Sequence, residues 1–74
     1  MRVIQKTLID FDKIGVYAQN VRLLGNTQTA ADLRNAKQDI LLTYDKQAAN
    51  YAVLLVSYDD KHTAAKIVPR DFWL

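Results

Sequence analysis

The chain has 74 residues, 50% of them hydrophobic, and a formal net charge of +2, which bounds it to a single domain over 1–74 with a thin core. It has no cysteine, and His62 is its one histidine, so disulfides and thiolate metal sites are excluded and a structural zinc site has almost no ligands to draw on. The longest apolar run, 51–56, is far short of a membrane span, and 1–9 lacks the apolar stretch of a signal peptide; the expectation is a soluble cytoplasmic protein with no membrane partner and no cofactor.

The ten Lys/Arg and eight acids are interspersed along the chain, so the basic excess forms no linear cluster of the kind a dedicated nucleic-acid binder shows. Every acid is Asp and none is Glu. Glu is a good helix former whereas Asp favours caps and turns, so this usage leans against an all-helical chain.

In chain order, 1–25 is rich in β-branched residues (Val3, Ile4, Thr7, Ile9, Ile14, Val16, Val21), whose stiff side chains suit a pleated surface. Two strands, 3–9 and 14–23, joined around Asp10-Phe11-Asp12-Lys13, are expected here. A helical stripe through Ile4, Leu8, Phe11, Ile14, Ala18 and Val21 is the rival, and Gly15 counts against it by about 1 kcal/mol. Gly25-Asn26 then breaks the chain. Thr29 with Asp32 three residues on looks like a weak capping box, and Leu33, Ala36, Ile40, Tyr44 and Ala48 recur at helical spacing, which predicts a helix over about 28–46. Residues 51–58 and 63–68 read as a hairpin around the polar cluster Asp59-Asp60-Lys61-His62, closed by Pro69; the rival carries the central helix on through Tyr51, Leu55 and Tyr58.

The expected fold class is therefore α+β: a small antiparallel sheet of two strand pairs packed against one central helix, in a ββαββ order. The alternative is a mostly helical hairpin.

Little points to catalysis. Acid–base work needs a group poised near neutral pH, and His62 sits alone in a charged turn. Asp59-Asp60, like Asp10 and Asp12, offers hard carboxylate oxygens to a cation, but adjacent acids at a turn are ordinary turn formers. The two glycines, Gly15 and Gly25, make no phosphate loop. Ser57, the one serine, falls in the apolar strand. No catalytic residue, metal ligand or enzyme activity is expected.

Binding remains. The terminal Arg70, Phe72, Trp73 and Leu74 combine the residue types that dominate protein-binding hot spots, and termini fray unless docked. They either fold back on the core or dock on another chain. A small sheet also exposes two edges that can pair with a partner or a second copy, and a homodimer is the one remaining means of completing so small a core. The expected function is that of a non-enzymatic binding or regulatory protein acting by protein–protein contact. Small cofactor-free chains of this style occur among phage and mobile-element accessory proteins that inhibit or adapt a host machine. The alternative is a nucleic-acid-binding regulator using Arg22, Arg34, Lys37, Lys46, Lys66 and Arg70 on phosphates, with Tyr17, Tyr44, Tyr51 and Tyr58 stacking on bases if they face outward.

Overall fold

The β-branched N-terminal stretch forms one strand and one helix, not two strands. In the computed structural model, which describes residues 2, 3, 5–59 and 63–72, β1 spans Gln5–Asp10. A 3-10 turn, Phe11–Lys13, leads straight into α1, Ile14–Leu23. The expected second strand is thus a helix, and the ββαββ order gives way to β-α-α-β-β. The reason is spacing. Ile14 and Ala18 are wholly buried, with Tyr17 and Val21 packed beside them, and only a 3.6-residue period brings all four to one face. Burial of that face outweighs the strand preference of Val16 and Val21, which is a preference for a half-buried pleated surface more than for a backbone conformation.

Gly15, which counts against a helix on propensity, lies where α1 meets the next helix. A Cβ built on it would stand 3.4 Å from Lys37 Nζ, and that ammonium also sits 5.5 Å from the centre of the Phe11 ring. Gly25 has a different task. Its φ of +91° lets Asn26 N–H donate to the Val21 carbonyl and Gly25 N–H to the Arg22 carbonyl, each at 2.9 Å. This is a Schellman closure of α1.

The helix α2, Thr27–Tyr44, starts at once. The Asn26 carbonyl accepts from Ala30 N–H at 3.0 Å, so Asn26 and not Thr29 occupies the N-cap. The Thr29–Asp32 pair falls inside the helix because the glycine turn passes the chain directly from one helix to the other. Ala30, Leu33, Ala36 and Ile40 form the buried stripe of α2. The helix stops at Tyr44 and tightens into a 3-10 segment, Asp45–Asn50. Ala48 is buried as its spacing implied, but from that segment.

The C-terminal hairpin follows the sequence closely. Strands β2, Tyr51–Ser57, and β3, Thr63–Pro69, pair antiparallel. The turn residues Asp60, Lys61 and His62 lie outside the described residues. Strand β1 pairs antiparallel with β2, from Gln5 opposite Ser57 to Asp10 opposite Ala52. The sheet is three-stranded, in the order β1-β2-β3. Strands alternate their side chains, so Ile9, Val53, Leu55 and Ile67 face the helices and join Ile14, Leu33 and Ile40 in the main core. The opposite face gathers Leu54, Val56 and Val68, with Leu8 and Tyr58 packed against them, and among the described residues no helical one belongs to this second cluster. No helix is long and apolar enough to cross a membrane among the described residues.

The two glycines predict opposite responses to the same substitution. Gly15→Ala places its methyl against the flexible end of Lys37 and removes a helix-interior glycine, so unfolding in urea should show a gain of roughly 0.5–1 kcal/mol. Gly25→Ala forces a side chain into the left-handed region and should cost about 1 kcal/mol. Equal effects of one sign at both positions would contradict these two backbone roles.

Candidate protein-binding surface

At the end of the sheet where β1 finishes and β2 begins, the chain leaves β3 through Pro69. Pro69 sits opposite Tyr51 in the ladder. Arg70 N–H then donates to the Asn50 carbonyl at 2.7 Å, and Phe72 N–H to the Pro69 carbonyl at 3.0 Å. These bonds hold 70–72 in a turn against the start of β2, which is itself braced by the stacking of Tyr44 on Tyr51, with centroids 4.1 Å apart. Of the terminal residues singled out in the sequence, Arg70 and Phe72 are exposed on this turn, and Trp73 and Leu74 lie outside the described residues.

Arg70 stands between two shallow clefts. One, of about 570 Å³, is lined by Asn50, Tyr51, Pro69, Arg70 and Asp71. The other, of about 240 Å³, is lined by Asp10, Phe11, Asp12, Ala49 and Arg70. The guanidinium Nε is 4.0 Å from Asp10 Oδ1, with 64% of the Arg70 and 39% of the Asp10 side chain exposed. The two clefts are thus lined by aromatic rings and by Asp10, Asp12 and Asp71 around Arg70, with the Lys37 ammonium on the Phe11 ring. Their excess of carboxylates suits a basic or neutral protein surface better than a phosphate backbone.

The six cations considered for nucleic acid are spread over the molecule. Arg22 and Arg34 are exposed on the two helices, and Lys37 is half-buried over Phe11. Lys46 is exposed in the 3-10 segment, where its N–H donates to Asp45 Oδ1 at 2.8 Å. By strand alternation Lys66 lies on the face away from the helices, and Arg70 has the acidic neighbours just described. Tyr17, Tyr44 and Tyr51 pack against the main core and Tyr58 against the second cluster, so all four tyrosines spend part of their rings on packing.

At the other end of the sheet a third cleft, of about 550 Å³, runs beside the α1–α2 turn. Its polar lining, including Gln5, Thr7, Asn26 and Ser57, is neutral. Ser57 Oγ shares a hydrogen bond of 3.2 Å with Thr63 Oγ1 there. No group of three or more potential metal-binding side chains occurs among the described residues.

Four apolar side chains on the helices are strongly exposed: Val16 and Leu23 on α1, Leu24 at its C-cap, and Leu42 on α2. The strand expected over 14–23 conceals this feature. On a helical wheel, Val16 and Leu23 fall opposite Ile14 and Ala18, which marks them as outward-facing apolar residues.

No protein-family model matches this sequence, and neither a curated protein nor a solved structure is detectably similar to it.

The Arg70–Asp10 pair is exposed, and such pairs contribute between nothing and about 1 kcal/mol. Arg70→Ala should therefore lower stability in urea by no more than about 1 kcal/mol. A larger loss would mean that Arg70 braces the strand ends and is not held in reserve for a partner.

Proposed function

We propose that this chain is a small cytoplasmic binding or regulatory protein, without catalytic activity, that acts by protein–protein contact and takes a second copy of itself among its partners. The observation that carries the reading is the Arg70–Phe72 turn. Arg70 stands exposed between clefts lined by Tyr51 and Phe11, Phe72 is exposed two residues on, and backbone hydrogen bonds hold both. Such a surface has already met part of the ordering cost of binding, because its backbone is set before a partner arrives. Arg and aromatic side chains are those that carry most energy when a partner excludes water from them. Small size and the lack of a cofactor motif favour an accessory protein that inhibits or adapts a larger machine, of the sort phages and mobile elements use.

The competing reading, a nucleic-acid-binding regulator, is weakened by two observations. Its six cations are distributed over both faces of the sheet, and Arg70 lies 4.0 Å from the Asp10 carboxylate in clefts also lined by Asp12 and Asp71. Nucleic-acid binding through several phosphate contacts carries a steep salt dependence. Titration of double- and single-stranded DNA and of RNA at low and moderate salt should give weak isotherms that change little with salt; a steep slope would reverse the choice between the two readings. In parallel, a pull-down with the wild-type chain should retain proteins that an Arg70→Asp, Phe72→Ala variant does not, with circular dichroism confirming that the variant is folded. Equal retention by both would remove the turn as the binding surface.

A further inference from the structure

We infer that the outer edge of β1 is a self-complementary interface, and that two copies of the chain join there into one six-stranded antiparallel sheet. The inference deepens the protein-binding reading by naming a second copy as the partner of this edge, and it is independent of what the Arg70–Phe72 turn binds.

The sheet order β1-β2-β3 leaves two outer edges, and among the described residues no strand pairs with either. The two are not alike. Strand β3 carries an exposed lysine, Lys66, at its centre and ends in Pro69, which has no N–H to donate. A lysine and a proline on an edge are the usual guards against pairing, and β3 paired with its own copy about its centre would set Lys66 against Lys66. Strand β1, Gln-Lys-Thr-Leu-Ile-Asp, has no proline, and its two charges are of opposite sign.

Register decides the matter. When a strand pairs antiparallel with its own copy about a two-fold axis normal to the sheet, residues opposite each other must point their backbone groups the same way. The two residue numbers therefore sum to an even number. Centring on Lys6 sets like charges together. Centring on Thr7 or Ile9 sets Lys6 or Asp10 against Leu8. Centring on Leu8 sets Lys6 against Asp10 of the second copy, Asp10 against its Lys6, and Leu8 against Leu8. Only this register answers both charges, and it answers each of them twice. Leu8 belongs to the apolar cluster with Leu54, Val56 and Val68, so the contact at the axis extends that cluster across the dimer. Asp10 keeps room for the new cation, because its contact with Arg70 is at 4.0 Å and the carboxylate is 39% exposed.

A second observation lies on the same edge. Helix α2 packs over β2 and β3, while α1 packs against α2 and over β1. Gly15 marks the flank of α1 turned to α2. At about 100° per residue, Leu24 falls on the opposite flank. It is 80% exposed and lines the same cleft as Gln5 and Thr7 of β1, so an apolar side chain stands beside this edge on the helix side of the sheet.

The test is a charge exchange read by sedimentation equilibrium, with circular dichroism for the fold. The wild type should sediment as a dimer. Lys6→Asp and Asp10→Lys should each weaken the dimer by roughly ten- to a hundredfold, since directly opposed like charges replace attractive pairs at two places. Mixed in equal amounts, those two variants should associate with one another, because a chain with aspartate at both positions then meets one with lysine at both, on either side of the axis. The doubly exchanged chain should dimerise as the wild type does. Asp39→Lys, an exposed charge change on α2, should stay dimeric. A wild type that remains monomeric at millimolar concentration overturns the inference, as does a dimer that neither single exchange weakens. Either result leaves the Arg70–Phe72 surface to be judged by its own pull-down.

Discussion

Strand β2 is the constraint on which the other elements depend. It is the one strand paired along both edges, and Ala52 to Val56 are buried on both faces. A five-residue run with no exposed side chain needs a neighbour on every side: β1 and β3 for its backbone, the helices over Val53 and Leu55, and the second apolar cluster over Leu54 and Val56. The path of the chain follows from this. Strands β1 and β2 are antiparallel neighbours, and β1 ends at the same end of the sheet at which β2 starts. Whatever joins them must leave and return at one end. A single helix spans the sheet once and suits parallel strands; two antiparallel helices bring the chain back. Helix α1, of 10 residues, rises about 15 Å and α2, of 18 residues, about 27 Å. The leading 3-10 turn of three residues lengthens the shorter arm by about 6 Å.

This explains which parts of the fold are legible in the sequence. The helix over 28–46 and the hairpin after it are readable because each has a single dominant period. Leu33, Ala36 and Ile40 recur every three to four residues, and 51–56 is an unbroken apolar run of strand length. The stretch 14–23 carries two signals in conflict, β-branched composition against a period of three to four. Composition describes one residue at a time, whereas the period describes the face that has to be buried, and here the buried face decides. The absence of Glu is a weaker signal than it looks. Both helices draw on Gln, Asn and Arg for exposed positions, so the lack of one good helix former removes little helical preference. The propensity cost of Gly15, about 1 kcal/mol, is outweighed by the burial of Ile14 and Ala18 on the same helix.

The candidate site is legible only as residue types. Arg70 and Phe72 stand out because hot-spot residues crowd the end of the sequence. That they form a hydrogen-bonded turn beside Asp10 and Asp12 depends on β1 pairing with β2, a contact between segments more than forty residues apart. The expected pairing of β1 with 14–23 would have placed those acids elsewhere and left Arg70 with a different set of neighbours. The charge of the surface is therefore a property of topology. It also bears on the nominal basicity of the chain. The excess of +2 is dispersed, while Asp10, Asp12 and Asp71 line the two clefts that Arg70 divides.

Edges and thinness are linked in a chain of this size. A three-stranded sheet has as many open edges as a larger one, but a smaller core to support them, and the fraction of surface buried on folding falls as chains shorten. An open edge is then both a hazard and a resource. Guarding it with Lys66 and Pro69 prevents pairing at β3 but adds nothing to the core. Leu8 flanked by charges of opposite sign on the other edge favours a strand of matching pattern, and association through such an edge would add to stability with the logarithm of concentration. The unequal treatment of two edges of one small sheet is what a chain needs if it is to associate on one side and stay closed on the other. Two guarded edges would leave Leu24 exposed beside β1, and two open edges would let the sheet grow without limit.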